Sequence, residues 1–448
     1  MVNAKDMLKK FAGFSIVPIF TALITIFVIP VVSNLFPAEE YGKINLFYSV
    51  GILLTTLCTL GLDNSLIRYY FEPPEGLKKH NIQVIALLVG LGVDIALVIL
   101  AVLFFPELVT DYLFGENCIG LIPILGLYVF ASIVLRLLNI DARMEENYRR
   151  YNIQSIFQTF ITRISFVFLA FISTYYAYSV VAMTIGMVGL AALFLVIQRN
   201  AFSFKGAHFN VKNIRILFAF GFPVMATNLV LNLNGMIGKL ALSGANLYEA
   251  VGIFAIATTL SNVFTIIPTA FSTYWSPFMY KHYKTENKVI MEVHELVMFM
   301  TGFLVVLIVL FQDFLFAIVG DMYKECQAYF MLIMLNPIQA LICEMTAYGI
   351  VLKEKPIFNV IASGAGVSAS AVVTLLLMNE YGALAAALGV ACSSLLIAII
   401  RSVIGQRFYK SVPYPMKTIA TSLLLIICCC LNYFIYDDMF EKAIIGFL

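Results

Sequence analysis

Charge is the first thing this sequence lacks. Charged residues make up 12% of its 448 residues, whereas about 25% is usual in soluble domains, and the mean hydropathy is +0.94. A chain with so few charges cannot cover a water-facing surface, which excludes an ordinary soluble protein. Apolar runs long enough to cross a bilayer as a helix, about 20 residues each, recur along the whole chain. The sequence therefore predicts an all-α, polytopic membrane protein.

Residues that form metal and catalytic sites are also scarce. The four histidines lie in or beside predicted loops without a second ligand, and the eight cysteines show no Cys-x-x-Cys or Cys/His spacing. No phosphate-binding Gly-rich loop with a following Lys is present, which argues against direct use of ATP. The predicted outer loops are short and contain no Ser-His-Asp candidates. We therefore expect no cofactor, no metal and no enzyme activity.

The distribution of Lys and Arg predicts the orientation in the membrane. If the N-terminus is cytoplasmic, 23 of the 28 Lys and Arg fall in inner segments, and the outer segments contain only Lys43, Lys324 and Lys442. Positive charge is retained on the cytoplasmic side of a membrane. This asymmetry supports thirteen spans, and a fourteenth helix after the last one stays open. The predicted spans are approximately residues 11–35, 44–70, 82–105, 118–138, 152–176, 178–198, 214–238, 250–276, 295–316, 326–351, 357–378, 383–405 and 416–436.

The two halves of the chain resemble each other. "EEYGKINLF" at 39–47 matches "EAVGIFAI" at 249–256, and "RRYNIQSI" at 149–156 matches "EKPIFNVI" at 354–361. Because each half contains six spans, the repeat is parallel. We predict two six-helix repeats around a central cavity, plus one or two extra C-terminal helices. The predicted divisions are an N-lobe at 1–200, a cytoplasmic linker at 201–213, a C-lobe at 214–410 and an extra helical region at 411–448.

Polar residues recur at helical spacing in several spans. In hydrocarbon such a face marks either a contact between helices or the wall of a cavity. Ser and Thr can also bond back to their own helix, but faces that pair across both halves favour a shared polar interior. The candidate cavity residues on these faces are Asn228 and Asn232 in the seventh span, Asn262 and Thr265 in the eighth, and Ser370 in the eleventh.

Charges within the spans need a reason, since each costs about 2.5 to 3.5 kcal/mol at the centre of a helix. Arg163 lies too deep to reach either surface, and its guanidinium suits a phosphate or a carboxylate. Two interpretations stay open: Arg163 pairs internally with Asp94 or Glu344, or it binds an anionic substrate. In the second case Asp94, Glu344 and also Asp63, which continues a polar face of the second span, act as counter-ions or coupling groups.

Two further basic residues lie near the ends of spans. Arg68 is near the inner end of the second span and Lys239 near the outer end of the seventh. Both can extend to the interface as simple anchors. They can also contribute to substrate binding, because Arg68 precedes Tyr69 and Tyr70 in an aromatic and basic segment that suits a sugar phosphate.

Three segments resemble the polysaccharide transporter family, which comprises O-antigen and capsule flippases of the multidrug, oligosaccharidyl-lipid and polysaccharide exporter superfamily. The segments are "LFPAEEYGKINLFYSVGILLTTLCTLGLDNSLIRYY", "FAFGFPVMATNLVLNLNGMIGKLALSGANLYEAVGIFAIATTL" and "KEKPIFNVIASGAGVSASAVVTLLLMNEYGALAAALGVACSS". The resemblance covers about residues 5–410. It implies two lobes that open alternately to each side and translocate the head of an undecaprenyl-diphosphate-linked oligosaccharide.

The sequence also departs from this family. Gly238 and Lys239 stand where the seventh helix commonly carries an Asp-Arg pair, and the first span has no charge between Phe11 and Leu35. The uncharged first span argues against the peptidoglycan-precursor branch and against a drug antiporter driven through a first-helix Asp.

The function expected from the resemblance is a lipid-linked oligosaccharide flippase of the bacterial plasma membrane, acting in surface polysaccharide biosynthesis, including lipopolysaccharide or capsule. Its expected partners are the bilayer, the lipid-linked substrate, and polysaccharide polymerase and chain-length machinery, but no nucleic acid. A cation-coupled small-molecule or drug antiporter is the first alternative. A membrane-embedded glycan polymerase or transferase is the second, and the short outer loops argue against it.

Overall fold

The computed structural model describes residues 4–145, 147–199, 201–202, 211–285, 287–353, 355, 357–412 and 414–436. Within these residues the chain forms α-helices and one short 3₁₀ turn, without a strand. The helices are α1 Ala4–Leu35, α2 Ala38–Cys58, α3 Leu62–Arg68, α4 Lys79–Phe104, α5 Pro106–Phe114, α6 Leu121–Met144, α7 Tyr148–Ala170, α8 Tyr176–Ile197, α9 Val211–Gly244, α10 Tyr248–Phe264, α11 Ile266–His282, α12 Asn287–Ala317, α13 Cys326–Thr346, α14 Tyr348–Leu352, α15 Ile357–Tyr381, α16 Ala383–Phe408 and α17 Pro415–Ile435.

The all-α membrane fold is confirmed. In the described part of the chain, eleven helices are long and apolar enough to cross a membrane, or twelve when α2 and α3 are taken as one span. Local signals explain where several helices begin. Asn147 accepts a hydrogen bond from the backbone N–H of Arg150 and caps α7, while Pro106 and Pro415 occupy the first turns of α5 and α17.

The second predicted span is broken, not continuous. Leu60 and Gly61 have positive φ angles of 46° and 77°, which an α-helix cannot accommodate, so α2 ends and α3 leaves it at a bend of 61°. A Cβ at Gly61 would overlap the backbone oxygen of Gly221 in α9. The Ser65 hydroxyl also donates to the Leu217 carbonyl oxygen at 2.7 Å. At the break, the backbone of Gly61 therefore packs directly against the backbone of Gly221 in α9.

The chain divides into two compact units, one up to Asn232 and one from Leu233. Among the candidate spans of the described residues, the most buried are α6 in the first unit and α13 in the second, where 72% and 83% of an 18-residue apolar window are buried. These helices match the fourth and tenth predicted spans, which are equivalent in the repeat, so each half is built around the same helix. In the first unit, Ile133 and Leu137 of α6 belong to one buried hydrophobic cluster with Leu62 and Leu66 of α3 and Ile82 of α4.

The predicted lobe and linker boundaries stay a prediction. Most of the predicted linker, residues 203–210, lies outside the described residues. So do residues 437–448, the segment in which a fourteenth helix would lie.

Candidate functional site

A polar cavity of about 520 Å³ lies inside the first unit. Four helices form its walls: Tyr48, Ile52 and Thr55 come from α2, and Asp63, Asn64 and Ile67 from α3. The rest of the wall consists of Tyr128, Ser132, Arg136, Asn139, Ile140 and Arg143 of α6 and Tyr151, Gln158 and Thr162 of α7. Along α6 the lining extends from Tyr128 to Arg143, or ~22 Å of helix. The cavity is therefore long and runs with the membrane-spanning helices.

An ion pair between α3 and α6 forms part of the cavity wall. Nε of Arg136 donates to Oδ2 of Asp63 at 2.8 Å, and a second guanidinium nitrogen approaches the same oxygen. Asn64 donates to the other carboxylate oxygen at 3.1 Å. The Asp63 side chain is 2% exposed, whereas that of Arg136 is 35% exposed. Arg136 therefore neutralises a buried carboxylate and still presents part of its guanidinium to the cavity.

Arg143 supplies a second guanidinium to the same cavity. It is exposed and lies seven residues after Arg136 on α6, which places both on one face about two turns apart. Among the described residues no carboxylate forms an ion pair with Arg143. Its donors are thus available to an anion that enters the cavity.

Arg163 lies beside the cavity and not in its wall. Its guanidinium sits over the ring of Tyr48, 5.4 Å from the centroid, and Tyr48 lines the cavity. Within the described residues it forms no ion pair with Asp94, Glu344 or another carboxylate. The internal ion pair, one of the two interpretations of the sequence, is therefore not present among these residues. The Tyr48 ring lies between the Arg163 guanidinium and the cavity.

The end of α6 near Arg143 is held by a network of hydrogen bonds and ion pairs. Tyr70 donates to Asp141 at 2.7 Å, and Lys79 donates to the Tyr70 oxygen at 2.7 Å and to Glu145 at 2.9 Å. Burial first, and then the hydrogen bond to Asp141, raise the pKa of Tyr70 far above its ordinary value. This network fixes the end of α6 against α4 and so positions Arg143.

Two of the predicted coupling residues have no ion partner in the described part of the chain. Asp94 in α4 is 5% exposed and close enough to Cys58 of α2 to interact electrostatically with it. Glu344 in α13 is half-buried. Asp63, the third coupling candidate, is the one engaged by Arg136.

The other predicted site residues of the first unit lie outside the cavity wall. Arg68 is exposed at the end of α3, with its guanidinium 5.5 Å from the ring centroid of Tyr69. Asn228 is half-buried in α9. Asn232 donates to the Thr56 hydroxyl at 3.1 Å and so connects α9 with α2.

The predicted residues of the second unit differ in exposure. Asn262 is exposed and Thr265 half-buried where α10 meets α11, whereas Lys239 is buried in α9. Ser370 is fully buried in α15 beside Gly389 of α16, and its hydroxyl has no hydrogen-bond partner among the described residues. Ser370 therefore takes part in a close contact between α15 and α16 in this structure, and its role in a cavity stays a prediction.

Comparison with known proteins adds to this geometry. A family profile described as "Polysaccharide biosynthesis protein" matches residues 7–283, more than half of the chain. The chain belongs to the polysaccharide biosynthesis protein family. No curated protein matches this family member at a significant level.

Two solved structures show the fold of this polysaccharide biosynthesis protein. The lipid II flippase MurJ, in an inward closed conformation, superposes with a TM-score of 0.72 at 15% identity, covering 97% of this chain and 96% of that one. An inward-facing multidrug resistance MATE family transporter of the MOP superfamily gives 0.59 at 13% identity, covering 92% and 99%. The fold is therefore that of multi-pass transporters.

In the described residues no group of three or more His, Cys, Asp and Glu side chains is placed to bind a metal.

The cavity residues Arg136 and Arg143 were missed by the sequence prediction, which assigned both to a cytoplasmic segment as topology charges. The predicted fourth span ended at residue 138, but α6 continues to Met144. The seven-residue spacing of the two arginines was a signal for one helical face. The pairing of Arg136 with Asp63 could not be predicted from the sequence, because it depends on the break at Gly61 and on the contact of that break with α9.

Proposed function

We propose that this polysaccharide biosynthesis protein is a flippase that translocates an undecaprenyl-diphosphate-linked oligosaccharide across the bacterial plasma membrane by alternating access. The observation that carries this proposal is the cavity of the first unit, which presents two arginines of one α6 face to a space of about 520 Å³. A cavity that places guanidinium groups between membrane-spanning helices suits an anionic head group, since placing charge there is costly without a ligand or counter-ion.

The donors of the cavity match the chemistry of this substrate. Arginine presents a planar set of donors that can bind phosphate oxygens in pairs, so Arg143 and Arg136 would hold the diphosphate. Asn139, Tyr151 and Gln158 line the same cavity, and their amide and hydroxyl groups can bond the hydroxyls of a sugar. Arg163, beside Tyr48, would add positive potential behind them.

Arg143 gives the sharpest test, because it is exposed and forms no ion pair in the described structure, so we expect its substitution to leave the fold intact. In a strain that lacks this gene, undecaprenyl-linked oligosaccharide should accumulate on the cytoplasmic leaflet. Wild type should relieve the accumulation, and Arg143→Gln should not at equal expression. Arg149→Gln is the matched control: Arg149 is exposed nearby on α7 and does not line the cavity. Accumulation that Arg143→Gln relieves fully would contradict the role of Arg143, and absence of accumulation would contradict the flippase.

A cation-coupled antiporter of small molecules is the second candidate, and Asp94 is the observation that favours it. A carboxylate that is 95% buried in a membrane helix without a cationic partner is expected to bind a proton. The antiporter predicts gradient-driven efflux from vesicles that Asp94→Asn abolishes. Proton-coupled oligosaccharide flipping predicts that the same substitution instead slows relief of the accumulated lipid-linked substrate.

A further inference from the structure

The second unit contains an apolar groove of about 620 Å³ between α12 and α17. Both helices are apolar enough to cross a membrane. The floor of the groove consists of the buried Met298, Val305 and Leu425, while Phe299 and Phe303 form its exposed walls and are 67% and 54% exposed. The groove thus lies on a membrane-facing surface.

The two helices are fastened to each other on both sides of the groove. At one end Gln312 donates to Asn432 at 2.6 Å, in a fully buried amide pair. At the other end His294 and Thr418 are hydrogen-bonded at 3.0 Å, and Lys417 pairs with Glu295 at 3.2 Å. Between these ends the helices separate: the nearest heavy atom to a Cβ built on Gly302 is the Leu425 side chain, at 4.0 Å.

The dimensions of the groove match one leaflet of a membrane. Its lining on α12 extends from His294 to Val306, which is ~18 Å of helix, and half of a ~30 Å hydrocarbon core is about 15 Å. The polar residues of the lining gather at the His294 end, where Glu295, Tyr414, Lys417 and Thr418 also lie. An apolar chain capped by a polar group at one end has this distribution of polarity.

The polar end carries charges of both signs. Lys417 and Glu295 are 68% and 46% exposed, and an ion pair so exposed is weak and easily exchanged for a ligand. Nδ1 of His294 is buried and has no partner among the described residues. Depending on the tautomer, this atom can donate to a phosphate or accept from an ammonium group. A zwitterionic head group satisfies all three side chains, whereas a purely anionic one would leave Glu295 facing like charge.

We propose that this groove binds one acyl chain of a zwitterionic membrane phospholipid of the phosphatidylethanolamine type, with its phosphate at Lys417 and its ammonium group at Glu295. The site is separate from the cavity of the first unit and does not depend on the proposed flippase activity. The bound lipid would fill the gap between α12 and α17 and stabilise their packing.

Native mass spectrometry of the full-length protein, released from nanodiscs of equal phosphatidylethanolamine, phosphatidylglycerol and polyprenyl phosphate content, tests the proposal. Wild type should retain phosphatidylethanolamine in preference to the other two. Gly302→Leu should lose it, because the new side chain fills the groove. Gly364→Leu is the matched control: it is the same substitution in α15 of the same unit, with no heavy atom within 4 Å of the added Cβ, and it should retain the lipid.

A second variant tests the head group without changing the groove. Glu295→Gln removes the anion and should reduce the preference for phosphatidylethanolamine over phosphatidylglycerol by about two- to fivefold, as expected for one exposed ion pair. Retention of lipid by Gly302→Leu would overturn the proposal. The proposal would also be overturned if the wild-type protein preferred phosphatidylglycerol or polyprenyl phosphate, or if it formed a dimer through this face without bound lipid.

Discussion

At the scale of single residues, the ion pair between Asp63 and Arg136 is unequally exposed. The Asp63 side chain is almost completely buried, while about a third of the Arg136 side chain remains exposed. Removal of one partner from a buried pair is costly chiefly because it leaves the other charge without compensation. The two single substitutions should therefore differ in their effect on stability.

We expect Arg136→Gln to lower the free energy of unfolding by about 3 kcal/mol, because it leaves a carboxylate buried. Asp63→Asn should cost only about 1 kcal/mol, since the remaining guanidinium can turn towards water in the cavity. The measurement is unfolding of the purified protein in detergent, with the double variant included to obtain the coupling energy. Equal losses from the two single substitutions would contradict the asymmetry.

At the scale of helices, the break between α2 and α3 determines where Asp63 lies. Without it the second span would continue as one helix, and Asp63 would follow the polar face of Thr56 and Thr59, both of which are buried. The left-handed backbone at Gly61 turns α3 by 61° and brings Asp63 to Arg136 instead. Gly61 has two independent roles in this arrangement, its positive φ and its contact with Gly221.

Substitution of two glycines by alanine separates these roles. Gly61 and Gly76 both have positive φ, at 77° and 85°, but only Gly61 meets another backbone; the nearest atom to a Cβ at Gly76 is Nδ2 of Asn213, at 3.8 Å. Gly76→Ala should cost about 1 kcal/mol of unfolding free energy from backbone strain alone. Gly61→Ala should cost at least about 2 kcal/mol more, because α3 must move away from α9. Similar losses in thermal unfolding would show that the backbone contact contributes little.

The sequence predicts the helices far better than it predicts the cavity. Length and hydropathy are local properties, and every predicted span has a helix at its position, including the C-terminal α17. The cavity depends on contacts distant in sequence: Asp63 with Arg136, and Gly61 with Gly221. Polar spacing predicted a polar face on the second span but not which residues line the cavity: Tyr48, Ile52 and Thr55 line it, while Thr56 bonds to α9. Ser370, also predicted from polar spacing, is buried beside Gly389 in this structure.

At the scale of the whole molecule, the orientation in the membrane decides which side can load the cavity. Arg143 is exposed near the end of α6. That end lies next to the start of α4, where Lys79 pairs with Glu145. The excess of basic residues assigns both segments to the cytoplasmic side. In this predicted orientation an anionic head group enters the cavity from the cytoplasm.

Cysteine labelling of intact cells tests this orientation. We would replace the half-exposed Cys118 and Cys392 and the exposed Cys430 by serine. Into this background we would introduce Asn117→Cys on the predicted outer side or Glu75→Cys on the predicted inner side; both positions are exposed. A membrane-impermeant maleimide should label the cysteine at 117 in intact cells and the one at 75 only after permeabilisation. The permeabilised sample also serves as the control for reactivity. The reverse pattern would place the Arg143 end of the cavity outside the cell, and loading from the cytoplasm in this conformation would then be excluded.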